Sequence, residues 1–107
     1  MVIGQYDVFI VALDPTLGAE MQKTRPCVVI SPDEMNARMH TVQIAPMTTT
    51  VHSYPWRVAI AFQGKKGMVA LDQIRTVDKR RLIKKSGRIR TAVIAQIKRV
   101  LQEMLVD

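Results

Sequence analysis

The chain has 107 residues, 48% hydrophobic and 23% charged, with 16 cations against 9 anions. That length and balance point to one folded domain over 1–107 and exclude a disordered or low-complexity chain. No apolar run approaches the roughly 20 residues of a membrane span, and the first residues lack the charged-then-apolar order of a signal peptide, so a cytoplasmic protein without membrane contact is expected.

Residues 5–13 form an almost continuous apolar and β-branched run that stops at Asp14-Pro15, which reads as a buried strand ended by proline. Residues 15–25 change to a loop composition. Pro26-Cys27-Val28-Val29-Ile30 is a second buried strand, and proline biases Arg25 before it toward extended backbone. Ser31-Pro32-Asp33-Glu34 has the capping-box order and predicts a helical turn over 32–37. Residues 41–47 alternate as a third strand with Pro46 at its end or on an edge. Residues 56–62 and 68–74 predict a hairpin turning at Gly64-Lys65-Lys66-Gly67, with Trp56 on the same buried face as Val58 and Ile60. Val93, Ile94, Ile97, Val100, Leu101, Met104 and Leu105 then recur at helical spacing, a stripe suited to core packing or to a dimer surface. Five or so short strands and one terminal helix make a mainly β, α+β fold: a small, strongly curved antiparallel sheet or barrel with the helix over one face.

Cys27 is the only cysteine and permits no internal disulfide; with just His40 and His52 beside it, the chain has no metal-ligand spacing, and no cofactor or metal is expected. Charge is unevenly spread: residues 1–63 carry 4 basic and 5 acidic groups, net −1, and residues 64–107 carry 12 and 4, net +8. Residues 79–90 hold seven of these cations and no acid. Such a run is an electrostatic footprint for phosphate or an acidic partner, or else a solvated loop.

Four ordered pieces carry a family likeness: Asp14-Pro15-Thr16-Leu17-Gly18-Ala19-Glu20; Lys23-Thr24-Arg25-Pro26 leading into Val28-Val29-Ile30; Ala45-Pro46-Met47-Thr48-Thr49; and Leu71-Asp72-Gln73-Ile74-Arg75-Thr76-Val77-Asp78. Together they resemble the MazF/PemK toxins of bacterial type II toxin–antitoxin pairs. The resemblance implies an SH3-like antiparallel β-barrel of the CcdB/MazF kind with a C-terminal helix. It implies a homodimeric, sequence-specific endoribonuclease acting on single-stranded mRNA. A MazE-like antitoxin would hold it inactive, the pair together binding DNA. The alternative on a like fold is a CcdB-like toxin that acts by contact with DNA gyrase.

RNA supplies its own nucleophile in the 2′-hydroxyl, so cleavage to a 2′,3′-cyclic phosphate and a 5′-hydroxyl needs only proton transfer and charge stabilisation, without a metal. The resemblance carries catalysis onto Arg25 and Thr48. An arginine is too basic to serve readily as a base, which favours Arg25 as a phosphate clamp. A Kid/PemK branch instead uses an aspartate, matched here by Asp72, with an arginine two residues before it and a loop histidine; those two positions are Ala70 and Ala19. Asp72 is therefore either catalytic or a carboxylate tying down a loop. Glu20 is placed to orient Arg25, and the Gln73 amide to bond a base or the neighbouring loop. RNA contacts are expected from Glu20, Lys23, Thr24, Thr49, His52, Gln73, Lys79 and Arg80. Thr48 is alternatively a turn cap, Arg25 a surface partner of Glu20, and His52 a solvent-facing side chain. Tyr54 and Trp56 are stacking candidates, with core burial the expectation for Trp56.

Overall fold

In the computed structural model, which describes residues 1–106, the first apolar run becomes β1 (Asp7–Ala12) and the second becomes β2 (Thr24–Val29). The last residue of the expected domain, Asp107, lies outside the described residues. There follow α1 (Asp33–Arg38), β3 (Thr41–Thr48), β4 (Arg57–Phe62), β5 (Lys65–Ala70), β6 (Arg75–Asp78), β7 (Leu82–Arg88) and α2 (Thr91–Leu105). All strand pairs are antiparallel, in the order β4-β5-β3-β2-β1-β7, and β6 pairs with β3. The protein is thus α+β, a curled antiparallel sheet carrying a C-terminal helix.

The continuous apolar runs of β1 and β2 arise because both faces of the sheet are covered there. Val8 and Val28 point to one core, shared with Val69, Leu71 and the α2 residues Val93, Ile97 and Val100. Phe9, Val11, Cys27 and Val29 point to the other, shared with Val42, Ile44, Val77 and Leu82. Curling brings the far end of β4 to β7, where the Gln63 amide donates to the Ser86 carbonyl at 3.0 Å. Gly87, at φ +152°, gives the Phe62 ring room: a Cβ there would lie 3.1 Å from it.

Several local expectations are corrected. The 68–74 strand ends at Ala70, and a short 3-10 turn (Leu71–Gln73) separates β5 from β6. The hairpin turn is only Gln63 and Gly64, both at positive φ (51° and 78°), so Lys65 and Lys66 belong to β5. Pro46 is inside β3 rather than at its end; it falls where β3 exchanges its β6 partner for β5, so its missing N–H interrupts neither ladder. The capping box does not form. Ser31 instead donates its hydroxyl to Asn36 and accepts the Gln43 N–H at 3.0 Å, a buried polar knot joining α1 to β3.

The basic run is the largest correction. Residues 82–88 are an edge strand, not a loop, paired along β1 with two irregularities in register. Several of its cations have structural partners. Lys85 and Arg88 lie 3.2 and 3.5 Å from the buried Asp7 carboxylate, and Arg81 donates to the Ala12 and Asp14 carbonyls. Arg80 pairs with Asp78 at 3.0 Å.

Cys27 sits fully buried in the second core, and loss of hydration pushes its thiol up to about 12 from an ordinary value of 9.0. A thiol raised in the fold contributes stability that is complete below about pH 9 and is lost as pH rises from there toward 12. Urea unfolding at pH 8 and pH 10.5 is expected to show this extra alkaline loss in the parent chain and its removal in Cys27→Ala. Thiol reagents are expected to leave the native protein unlabelled at pH 8.

Candidate active site

Four strands meet at one end of the sheet and leave a cleft of about 330 Å³ between them. From β2 and the loop before it come Lys23, Thr24 and Arg25; from the end of β3 come Thr48 and Thr49; from the start of β5 come Lys65, Lys66 and Gly67. Pro26, Met47, Ile60 and Phe62 supply apolar wall. Four cations and three threonine hydroxyls line this space, and no carboxylate does among the described residues. A concavity with donors and positive charge and no acid suits a phosphodiester.

Arg25 is half-buried, and its Nε donates to the Gln22 carbonyl at 3.0 Å, which fixes the plane of the guanidinium. Its two terminal nitrogens have no protein partner among the described residues. Thr48 is 8% exposed, and its Oγ1 accepts the Thr50 N–H at 3.2 Å. That bond caps a turn, as one reading of the sequence had it, yet it leaves the hydroxyl proton free to donate. The two roles are compatible.

The cleft depends on a close backbone approach. A Cβ at Gly67 would stand 2.4 Å from the Thr48 carbonyl oxygen, so β5 can lie against β3 here only as glycine. Gly67→Ala is expected to cost roughly 1–3 kcal/mol of stability. It should also displace Thr48, and thermal melting together with an RNA cleavage assay reads both effects.

The other expected site residues stand elsewhere. Glu20 does not orient Arg25: the turn at 17–20 folds its carboxylate back onto the Leu17 N–H at 2.6 Å. Gln73 accepts the Met21 N–H at 3.2 Å, so its amide fastens the neighbouring loop. Lys79 borders a separate hollow beside Met1–Gly4 and α1, and neither it nor Arg80 lines the cleft. Asp72 is also outside it, held by Arg57 through two hydrogen bonds of 3.0 and 3.1 Å. Lys65 and Lys66, read from sequence as turn residues, line the cleft beside Lys23 and Arg25. Their only local signal was the flanking glycine pair.

With that geometry in place, residues 4–105 match the family described as PemK-like, MazF-like toxin of type II toxin-antitoxin system. The chain belongs to this family. The endoribonuclease toxin MazF of Escherichia coli (strain K12) is 34% identical over 71 residues, covering 66% of this chain. Over that match the chain spans 64% of the relative's length. The endoribonuclease EndoA of Bacillus subtilis (strain 168) is 27% identical over 108 residues, 95% of this chain and 93% of that protein. The crystal structure of MazF from Deinococcus radiodurans superposes with a TM-score of 0.88 at 26% identity, over 100% of this chain and 99% of that one. A crystal structure of MazE-MazF from the same organism gives 0.81 at 26% identity, over 99% and 97%.

In this MazF-like chain the Asp72 environment is built differently from what a lone sequence position indicates. Position 70 is alanine, but Arg57 lies directly opposite Ala70 across the β4–β5 ladder and reaches the Asp72 carboxylate. Burial at the strand end works against ionisation of Asp72. The Arg57 hydrogen bonds, helped by a backbone N–H and Gln73, outweigh it and hold the carboxyl below its usual value. A carboxylate so engaged is a weak base. Cross-strand register brings Arg57 to Asp72, a pairing that the local sequence does not signal.

Trp56 is not buried, contrary to the expectation from its alternation with Val58 and Ile60. It stands just before β4, where its carbonyl accepts the Leu71 N–H and the strand pleat has not begun. The residue is 40% exposed, and its ring stacks on Tyr54. His52 is exposed, as one reading of the sequence had it, and stacks on the same tyrosine.

Proposed function

We propose that this MazF-like toxin is a sequence-specific, metal-independent endoribonuclease that cuts single-stranded mRNA to leave a 2′,3′-cyclic phosphate and a 5′-hydroxyl. The observation that carries this reading is the acid-free cleft in which Arg25 and Thr48 share one wall space with Lys23, Lys65 and Lys66. Arg25 would grip two oxygens of the scissile phosphate with its unpaired fork, and the Thr48 hydroxyl would donate to the oxygen on which charge builds as the 2′-oxygen attacks. Lys23, Lys65 and Lys66 would neutralise flanking phosphates, and Thr24 and Thr49 would donate to them. Asp72 acts through Arg57 in this scheme and takes no proton from the substrate.

The rest follows the family. The curled sheet is assigned to the SH3-like barrel class, working as a homodimer in the cytoplasm, and the named relatives support an RNA-cleaving activity. The Deinococcus MazE-MazF crystal supports an antitoxin partner of the MazE kind. An acidic antitoxin segment would compete with RNA for the same cations.

The test is incubation of the antitoxin-free protein with a long single-stranded RNA in EDTA, followed by mapping of cut sites and analysis of the new ends. Discrete cuts bearing a cyclic phosphate and a 5′-hydroxyl are expected. Folded protein that leaves diverse RNAs intact would sink the proposal and direct attention to a protein-contact toxin, with DNA gyrase as its first target to assay.

A further inference from the structure

The loop between β3 and β4 carries three aromatic rings in a row, all at its surface. His52 and Tyr54 have ring centroids 5.3 Å apart with planes inclined by 29°, and Tyr54 and Trp56 are 5.2 Å apart and inclined by 11°. Tyr54 is 43% and Trp56 40% exposed. Large rings left in water this way forfeit burial that the nearby core could have provided, which marks the patch as one made to be covered.

The row is also held rigid. The Arg57 guanidinium lies 5.6 Å from the Tyr54 ring centroid and is itself clamped on Asp72 at 3.0 and 3.1 Å. Backbone bonds from Tyr54 N–H to the His52 carbonyl and from Arg57 N–H to the Tyr54 carbonyl fold the loop between these rings. A platform fixed in advance loses little freedom when something stacks on it.

We propose that the His52–Tyr54–Trp56 row is a base-stacking subsite for the single-stranded RNA whose phosphodiester occupies the Arg25–Thr48 cleft. The proposal rests on the endoribonuclease reading above and adds the place where a flanking base is held. Continuity with the cleft favours RNA as the occupant. The loop leaves the cleft at Thr49, and His52 follows three positions later, at most about 10 Å away along the chain. Phosphates bound by cations and bases laid on aromatic faces are the paired means by which single strands are held. The Arg57–Asp72 pair is a positioning device for this row.

Trp56 is the only tryptophan, so its emission reports on the row directly. The probe is an oligoribonucleotide containing a mapped cut site, with deoxyribose replacing the sugar whose 2′-hydroxyl attacks. Saturable quenching of Trp56 emission is expected, and Tyr54→Ala should weaken the apparent binding by roughly 5- to 150-fold, the range set by loss of one stacking contact. On a cleavable RNA, Trp56→Ala should raise KM by a similar factor, with the loss in KM rather than kcat, and Trp56→Phe should restore most of it.

Cleavage by the parent chain with unchanged emission on binding, and a parental KM in Trp56→Ala, would overturn the subsite while leaving the enzyme reading intact. A change of oligomeric state in Trp56→Ala with parental KM would assign the row to a protein interface and overturn it equally. Absence of both cleavage and oligonucleotide binding overturns the two readings together. Melting temperatures near the parent's show that each variant is folded.

Discussion

Arg25→Ala is expected to slow RNA cleavage by about a hundred- to a thousandfold while leaving the melting temperature close to the parent's. The asymmetry comes from how Arg25 is held. Its one protein bond runs from Nε to the Gln22 carbonyl in a solvent-accessible loop, so its removal leaves no buried group unsatisfied. Its terminal nitrogens, by contrast, form the one guanidinium fork among the described residues lining a cleft that otherwise offers lysine ammonium groups, threonine hydroxyls and the Gln63 amide. Arg25→Lys keeps the charge but not the fork, and should fall between the parent and the alanine variant. Rates measured on a mapped RNA in EDTA, alongside circular-dichroism melts of the same preparations, check both halves. A fully active Arg25→Ala would remove the phosphate clamp from the mechanism.

Ile97→Ala is expected to cost about 2–5 kcal/mol. Ile97 is fully buried at the centre of α2 and packs in the core that also holds Val28, Val58, Val69 and Leu71. Truncating it removes the transfer free energy of the missing carbons and opens a space that a helix fixed by Val93 and Val100 on either side cannot close. Met104 lies on the same stripe but is 40% exposed, so Met104→Ala should change stability by less than about 0.5 kcal/mol. Urea unfolding of the two variants separates a helix that is core from one that merely lies on the surface. An Ile97→Ala midpoint equal to the parent's would contradict the packing.

The same helix shows how far periodicity reaches. Its spacing identified the buried Val93, Ile97 and Val100 and the half-buried Ile94 and Leu101, but it could not tell that the stripe outruns the core beneath it, leaving Met104 and Leu105 exposed. Where the tertiary support ends is not written in a helical repeat. β7 failed for a related reason. A run of seven cations hides strand character because edge strands tolerate charge on their open side, and its pairing with β1 depends on Asp7 accepting Lys85 and Arg88 from a distant part of the chain.

Local chemistry therefore determined much by itself. Apolar runs and proline punctuation placed β1 and β2, alternation at 41–47 and at 56–62 placed β3 and β4, and the ordered motifs around Arg25, Thr48 and Asp72 pointed to the family. These are properties of neighbouring residues and survive without knowledge of the fold. Only the tertiary structure decided that Lys65 and Lys66 join Arg25 and Thr48 in one cleft, that Asp72 belongs to Arg57 instead, and that Trp56 faces water beside Tyr54. Each of these depends on strand register or on where a strand's pleat begins. A shift of one residue in register would send every one of those side chains to the opposite face.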